Sequence, residues 1–483
     1  MAKEKKNKVK PRILKGFRDY SPTEQLAREK MLGKIREVFE SMGFLPLQTP
    51  SLEFAETLLG SHYNKDSLSE LFGFRGPDDV DMALRYEFTL SLARYVASHP
   101  NLAFPFRRYQ YGNVWRVDKP GPGRFREFMQ CDIDIVGTKN LLADAEIIAA
   151  MVTTFQQLDI ENFVVRYSNR KILNGLIEYA KIDTEKAPDV MRVIDKLEKQ
   201  GREAVVKELG EGRVDKSGDK IKGLNLQSEQ ISKVEEFLDL APIKNQNPLE
   251  VAEELLGNIE SSKIGIDELR QIQSYLQAME IPENKVAVDL TVVRGLGYYT
   301  GPVFETTLLD LPDFGSVFSG GRYDNLVDRF LGRSIPAVGT SIGIDRLLAA
   351  LIALKKIELE YATSKVIVTV MDRERVPDYL AILQRLRSAG IASEIYSGDT
   401  KNLTKQIKYA DKAKIPFAVI VGTDEFEKGM VSVKNLSVGR KKALKTSDRE
   451  EWLKADEIQV TIPGKDLIPY LKKHLSNKEK KDE

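Results

Sequence analysis

Eight residues, Arg294-Gly295-Leu296-Gly297-Tyr298-Tyr299-Thr300-Gly301, set one arginine and two tyrosines on a backbone thinned by three glycines. Arginine offers a permanent cation with a planar fork of donors, suited to carboxylate or phosphate. Tyrosine adds a hydroxyl that donates or accepts and a flat apolar face. Glycine lets a backbone approach a ligand because no Cβ excludes it. A second set lies between Phe106 and Gly137, in FRRYQYGNVWRVDKPGPGRFREFMQCDIDIVG. There Arg116 stands on one limb, Gln130, Asp132 and Asp134 on the other, and Arg124 and Arg126 near the turn. Arginines over a sheet with amide and carboxylate partners suit a zwitterion beside a phosphate. In LRYEFTLSLARYVA, Glu87 and Thr89 offer a carboxylate and a hydroxyl to an ammonium group; a plain helix N-cap by Thr89 is an equal alternative. Arg346 falls in the first turns of an apolar helix, where a cation opposes the helix dipole. A nearby anion or a partner such as Asp345 would each account for it.

The elements that must position these groups are legible. DKPGPGRF, with two prolines and two glycines, is a strong turn signal, so its extended flanks predict an antiparallel hairpin with a long loop. On the return limb Met129, Cys131, Ile133 and Ile135 alternate with Gln130, Asp132 and Asp134, a period of two that separates an apolar from a polar face. Arg116 falls on the face opposite Trp115 and Val117 and joins the polar set. The glycine-rich octapeptide lies between KVAVDLTVV and PVFETTLL, both read as strands, and its simplest reading is a hairpin with two core tyrosines. EQLAREKMLGKIREVFESMG reads as a helix near the start. Residues 169–281 are charged and helix-patterned and read as an insertion, since the strands that follow resume the first region. From Ser364 strands and helices alternate, which predicts a small parallel sheet with helices on its faces.

At 483 residues the prior is a few domains of about 150 residues each. No stretch reaches the roughly 18 apolar residues of a membrane span, and the lysine-rich start, MAKEKKNKVKPR, lacks the apolar core of a secretory signal. One cysteine, Cys131, excludes an internal disulfide and fits a reducing, cytoplasmic setting. With three histidines it also argues against a Cys/His zinc site and against thiol or Ser-His catalysis. Chemistry is therefore expected from Arg, Glu, Asp, Gln and Tyr. The net charge of +1 divides into +6 from Tyr361 onward and −5 before it, compatible with nucleic-acid contact by the C-terminal part.

Three segments resemble the signature motifs of the class II aminoacyl-tRNA synthetases: GFRDYSPTEQLAREKMLGKIREVFESMGFLPLQTPSLE, WRVDKPGPGRFREFMQCDIDIVG and PAVGTSIGIDRLL. RGLGYYTGPVFE with SGGRYDNLV is similar to the histidine-specific signature of the histidyl-tRNA synthetases, and ADKAKIPFAVIVG with EKGMVSVKNL to their anticodon-binding domain. The resemblance implies an α+β catalytic domain on a mostly antiparallel sheet (1–168 and 282–356), a helical insertion (169–281), a C-terminal α/β anticodon-binding domain (364–475) and a charged tail (476–483). It implies ATP, with bound magnesium, and L-histidine as substrates, histidine tRNA held at its acceptor end and anticodon stem-loop, and a homodimer without membrane attachment. Catalysis would rest on Arg116, Arg294 and Arg346. The histidine site would comprise Glu87, Phe88, Thr89, Gln130, Asp134, Arg294, Tyr298 and Tyr299, with Asp134 accepting from one imidazole nitrogen and Tyr299 donating to the other. The ATP site would comprise Arg116, Asp118, Arg124, Phe125 and Arg346, with Phe125 packed on adenine. Two departures stand out: Gly297 replaces the acid usual before the tyrosine pair, and Asp118 stands where many bacterial members have Glu.

Two rival classes are a synthetase-like regulator of histidine biosynthesis and a pure tRNA-binding or signalling module. The regulators generally lack the C-terminal domain and carry a broken histidine signature; a sensor has no need of all three arginines. Two surfaces are expected to meet partners. The segment Met31 to Glu53 carries more apolar residues than an edge should expose, which points to a twin subunit. Lys401, Lys405, Lys408 and Lys412 follow i, i+4, i+7, i+11 spacing, a single stripe for the anticodon stem-loop.

Overall fold

Twenty residues, Pro22–Ser41, form helix α1, whose start is a capping box: Ser21 Oγ accepts from the Glu24 N–H at 3.3 Å while Glu24 Oε2 accepts from the Ser21 N–H at 2.9 Å. Met31, Leu32, Ile35, Val38 and Phe39 recur at helical spacing and are buried. The computed structural model describes residues 9–60, 67–121, 124–215, 218–239, 247–293, 298–438 and 459–479. The chain divides into two compact units, one containing Ala27–Glu358 and the other Leu359–Glu483.

The first unit is organised on an eight-stranded sheet. Its strands in chain order are β1 (Leu45–Pro46), β2 (Phe106–Trp115), β3 (Glu127–Val136), β4 (Phe163–Asn169), β5 (Val286–Val288), β6 (Pro302–Leu308), β7 (Phe318–Arg322) and β8 (Ala337–Gly343). In space they run β1-β2-β3-β8-β7-β6-β4-β5, antiparallel throughout except for the parallel pairs at the two edges. The mostly antiparallel sheet is thus as expected, and β2 and β3 form the expected hairpin, with Arg108 opposite Asp134 and Gly112 opposite Gln130.

The strands on either side of the glycine-rich segment do not form a hairpin with each other. These strands, β5 and β6, lie on opposite sides of β4 and pair with it rather than with each other. The two strands that flank the segment in the sequence are therefore separated by a third. Between β4 and β5 the chain is helical as predicted, with helices such as Arg170–Tyr179 and Glu260–Ala278 packed closely at Gly175 and Gly265. It adds a two-stranded hairpin, Gly212–Val214 with Lys220–Lys222, that the charged pattern concealed. The stretch FLPLQTPSLE near the end of the Met31 to Glu53 segment contributes to two short strands, β1 and Leu52–Phe54, the latter pairing with Asp81–Leu84 in a separate small sheet.

The second unit holds β9 (Val366–Val368), β10 (Ser393–Ile395), β11 (Phe417–Ile420), β12 (Met430–Asn435) and β13 (Gln459–Pro463), ordered β10-β9-β11-β12-β13. β9, β10 and β11 are parallel, but β12 and β13 are antiparallel, a correction to the all-parallel expectation. Nine residues, 421–429, separate β11 from β12, among them the six-residue helix Thr423–Lys428 and the left-handed Gly429. A parallel crossover needs a dozen or more residues, so the chain must reverse.

Candidate active site

The polar side of β3 is not a water-facing surface. Gln130, Asp132 and Asp134 are buried, as are Cys131, Ile133 and Ile135 on the other side. Each carboxylate consequently needs partners. Arg108, directly opposite on β2 and fully buried, brings Nη2 to 2.7 Å from Asp134 Oδ2, and the Tyr323 hydroxyl donates to Asp134 Oδ1. On β8 the Ser341 hydroxyl donates to Asp132 Oδ1 and accepts from Gln130 Nε2 at 2.6 Å. Burial pushes the Asp132 carboxyl up to about 7, against the pull of Arg108, with neighbouring Asp134 adding to the rise. Burial also raises Asp134, opposed by Arg108 and by the Tyr323 hydrogen bond.

Glycines make the room. A Cβ on Gly339 of β8 would lie 1.9 Å from Asp134 Oδ1, and one on Gly321 of β7 would lie 2.9 Å from the Tyr299 ring and 2.8 Å from the Pro302 carbonyl. These two positions admit no side chain without moving the acid or the tyrosine.

Helix α2 (Thr89–Ser98) begins at Thr89, and its first turn is capped by Glu87 rather than by the threonine: Glu87 Oε1 accepts from the Leu90 N–H at 3.1 Å. The Tyr298 hydroxyl donates to Glu87 Oε2 at 2.8 Å and lies 3.4 Å from Thr89 Oγ1. Burial raises the Glu87 carboxyl, opposed first by the Tyr298 hydrogen bond. Tyr298 and Tyr299 pack edge to face, 5.0 Å apart, and both hydroxyls are pushed up by burial.

Two cavities adjoin on this face. Glu87, Thr89, Gln130, Asp132, Asp134, Tyr298, Tyr299 and Tyr323 line the first. Asp118, Arg124, Phe125, Phe128, Asp345 and Arg346 line the second. Arg116, Gln130, Ser319 and Ser341 belong to both walls. Arg116 sits one residue beyond β2, its Nε donating to the Tyr86 carbonyl at 3.2 Å and its guanidinium 5.2 Å from the Phe128 ring centroid. Arg346, on helix α3 (Ile344–Ala353), donates through Nη1 to the Ser316 carbonyl at 2.7 Å. Asp345 accepts from Arg28 and from the Met129 N–H, which ties α3 to α1 and β3. Phe125 carries the Arg18 guanidinium 4.6 Å over its ring.

Of the sequence-predicted residues, Phe88 is fully buried beneath Arg85 and forms no part of either wall. Arg294 lies outside the described residues. Asp132, read from the sequence as part of the polar face, joins the first wall, and that wall also includes residues not singled out there: Ser319, Tyr323, Thr340, Ser341 and, from the region 169–281, Asp195. Arg108 was likewise missed. Its signal was present: counting back from Arg116 in twos reaches Gln110 and Arg108, on the polar face. Among the described residues no group of three or more His, Cys, Asp or Glu is placed to hold a metal ion, and no helix is long and apolar enough to cross a membrane.

The family model for histidyl-tRNA synthetase matches residues 16–347, and that for an anticodon-binding domain matches residues 365–456. The histidine–tRNA ligase of Dinoroseobacter shibae is 43% identical over 97% of this chain and 98% of its own. The crystal structure of histidyl-tRNA synthetase from Nostoc sp. PCC 7120 superposes with a TM-score of 0.78, at 32% identity, over 97% of this chain and all of that one. A Bacillus halodurans structure titled ATP phosphoribosyltransferase regulatory subunit/histidyl-tRNA synthetase shares the fold at 24% identity and a TM-score of 0.66 over 83% of this chain and 97% of its own.

Proposed function

Because the chain belongs to the histidyl-tRNA synthetase family and ligates L-histidine to histidine tRNA with ATP through histidyl-adenylate, we propose that the two adjoining cavities hold histidine and ATP, with Arg116 between them. The observation that carries this is the presence of Arg116 in both walls. A cation there faces the histidine carboxylate and the α-phosphate together as one attacks the other. The carboxylate oxygen bonds to the α-phosphorus, pyrophosphate leaves, and histidyl-adenylate remains. The terminal ribose hydroxyl of the tRNA then attacks the acyl carbon and AMP departs. No side-chain nucleophile enters either step. Positioning and charge stabilisation suffice.

Glu87, Thr89 and Gln130 receive the α-ammonium group, with Tyr298 orienting Glu87. Asp134 and Tyr299 take the two imidazole nitrogens. Arg108 and Tyr323 hold the Asp134 carboxylate in orientation, which supports its use as an acceptor for the ring N–H. ATP enters as its magnesium complex, with Arg346 at the γ-phosphate, Arg124, Asp118 and Phe125 around the nucleotide, and Arg294 at the α-phosphate. Arg18 occupies one face of Phe125, so adenine would take the other.

The exposed stripe Lys401, Lys405, Lys408 and Lys412 fits an anticodon stem-loop, with Gln406 and Ala410 buried on the opposite face of the helix Leu403–Lys412. Leu45, Leu52 and Phe54 are 62%, 41% and 54% exposed, which fits a second copy of the chain covering them. Histidine-dependent ATP–pyrophosphate exchange tests the central reading. Exchange stimulated by histidine and by no other amino acid is expected; an absence of exchange, with histidine still bound, would favour a regulator instead.

A further inference from the structure

Gln130 ends in a primary amide, which can offer either its carbonyl or its NH2 to the cavity, and the two are opposite in what they recognise. Facing an ammonium group the carbonyl attracts and the NH2 repels. What selects between them is visible on the neighbouring strand. Ser341 lies in register with Asp132 across β3 and β8, and Gly343 with Gln130. The Ser341 hydroxyl has one proton. Asp132 Oδ1 accepts it, leaving the serine oxygen as an acceptor for Gln130 Nε2 at 2.6 Å. The NH2 end of the amide is thereby held, and Oε1 is left as the other end of the chain, buried and without a hydrogen-bond partner. All three side chains line the first cavity, and Asp132 and Gln130 are 4% and 8% exposed.

We propose that Asp132 and Ser341 are positioning residues that fix the amide orientation of Gln130, so that the site demands an amino group on its substrate. This rests on the reading that Gln130 receives the α-ammonium. Neither Asp132 nor Ser341 needs to touch the substrate; they act through the glutamine. A buried acceptor left unpaired disfavours a ligand that cannot donate to it, which turns orientation into selectivity.

The test is calorimetric titration of the full-length protein with L-histidine and with 3-(imidazol-4-yl)propionate, which lacks only the amino group. Ser341→Ala is expected to weaken histidine about ten-fold while leaving the propionate within two-fold, so that the preference for histidine falls by about ten-fold. Ser341→Thr, which keeps the hydroxyl, and Asp132→Asn, which keeps an acceptor oxygen, should retain most of the preference. A parallel loss of both ligands in Ser341→Ala would overturn the proposal, because a merely structural role predicts that result. So would an unchanged preference. Gln130→Ala separates the two levels: if it leaves histidine affinity intact, the assignment of Gln130 itself fails. If it weakens histidine while Ser341→Ala keeps the preference, only the relay fails.

Discussion

In the unit that carries the eight-stranded sheet, Arg85, Glu87, Arg108, Asp132, Asp134 and Arg322 are all buried. Among the described residues of the Leu359–Glu483 unit the buried polar side chains are Thr369, Ser393, Gln406 and Ser432, all neutral. The core of the second unit is Val366, Val368, Leu383, Leu386, Val419 and Val433 with their neighbours, and its lysine stripe is exposed. Burying a charge is costly unless it is paired and hydrogen-bonded. The proposed site gives a reason for this in the first unit: a small zwitterion and a polyphosphate would be gripped away from water, where each interaction is stronger. In the proposed reading the second meets a polyanion at its surface, for which solvated cations suffice. The same residue types thus have different energetic weight in the two places.

The largest effect should come from breaking a buried pair. Arg108→Leu leaves the buried Asp134 carboxylate without its cationic partner, and we expect a loss of about 3–5 kcal/mol in unfolding free energy, read by denaturant titration. Adding Asp134→Asn to it should restore part of that loss, since the orphaned charge is then gone. A Lys405→Ala change in the exposed stripe should stay within about 0.5 kcal/mol by the same measurement. Comparable losses at both sites would abolish the contrast.

Arg116→Ala should lower pyrophosphate exchange by about 3 kcal/mol of transition-state stabilisation, roughly a hundred-fold, with the thermal midpoint little changed. A rate within a few-fold of the parent would remove the arginine from the reacting centre.

Asp134→Ala and Tyr299→Phe are expected to weaken histidine by about 1–3 kcal/mol each, with ATP affinity nearly constant. Separate titrations decide the matter: a parallel loss of both ligands would mean that the first cavity is not the imidazole pocket. The smallest effect belongs to the surface. Each of Lys405→Ala and Lys408→Ala should raise the KM for tRNA a few-fold and reduce the salt slope of tRNA binding by about one, leaving exchange unaltered. An unchanged slope would show that the stripe only solvates its helix.

Much of this was legible along the chain because it depends on local periodicity. DKPGPGRF can only turn, so the limbs around it must pair, and a period of two then assigns Gln130, Asp132 and Asp134 to one face. The capping box at Ser21 and Glu24 and the buried stripe of α1 follow from spacing alone. Arg108 could have been found the same way. The placement of β5 and β6 on opposite sides of β4 could not, since two β-branched runs joined by glycines describe a hairpin equally well. Nor could the reversal at Gly429 be read from alternation, because the length of the connection and not the composition of the strands sets the direction.

The amino-acid sequence by itself determined which side chains share a face, where helices start, and that chemistry here would run on arginine, carboxylate, amide and phenol. Tertiary structure alone decided which faces meet. Tyr323 reaches Asp134 across 189 positions, and Ser341 reaches Asp132 across 209. Those meetings depend on strand order and register, and register is a property of two strands jointly: a slip of one residue would turn every polar side chain of β3 to the other side of the sheet. Gly339 shows the same limit. Its missing Cβ means nothing along the chain and becomes the space for a buried acid only when β8 is laid against β3.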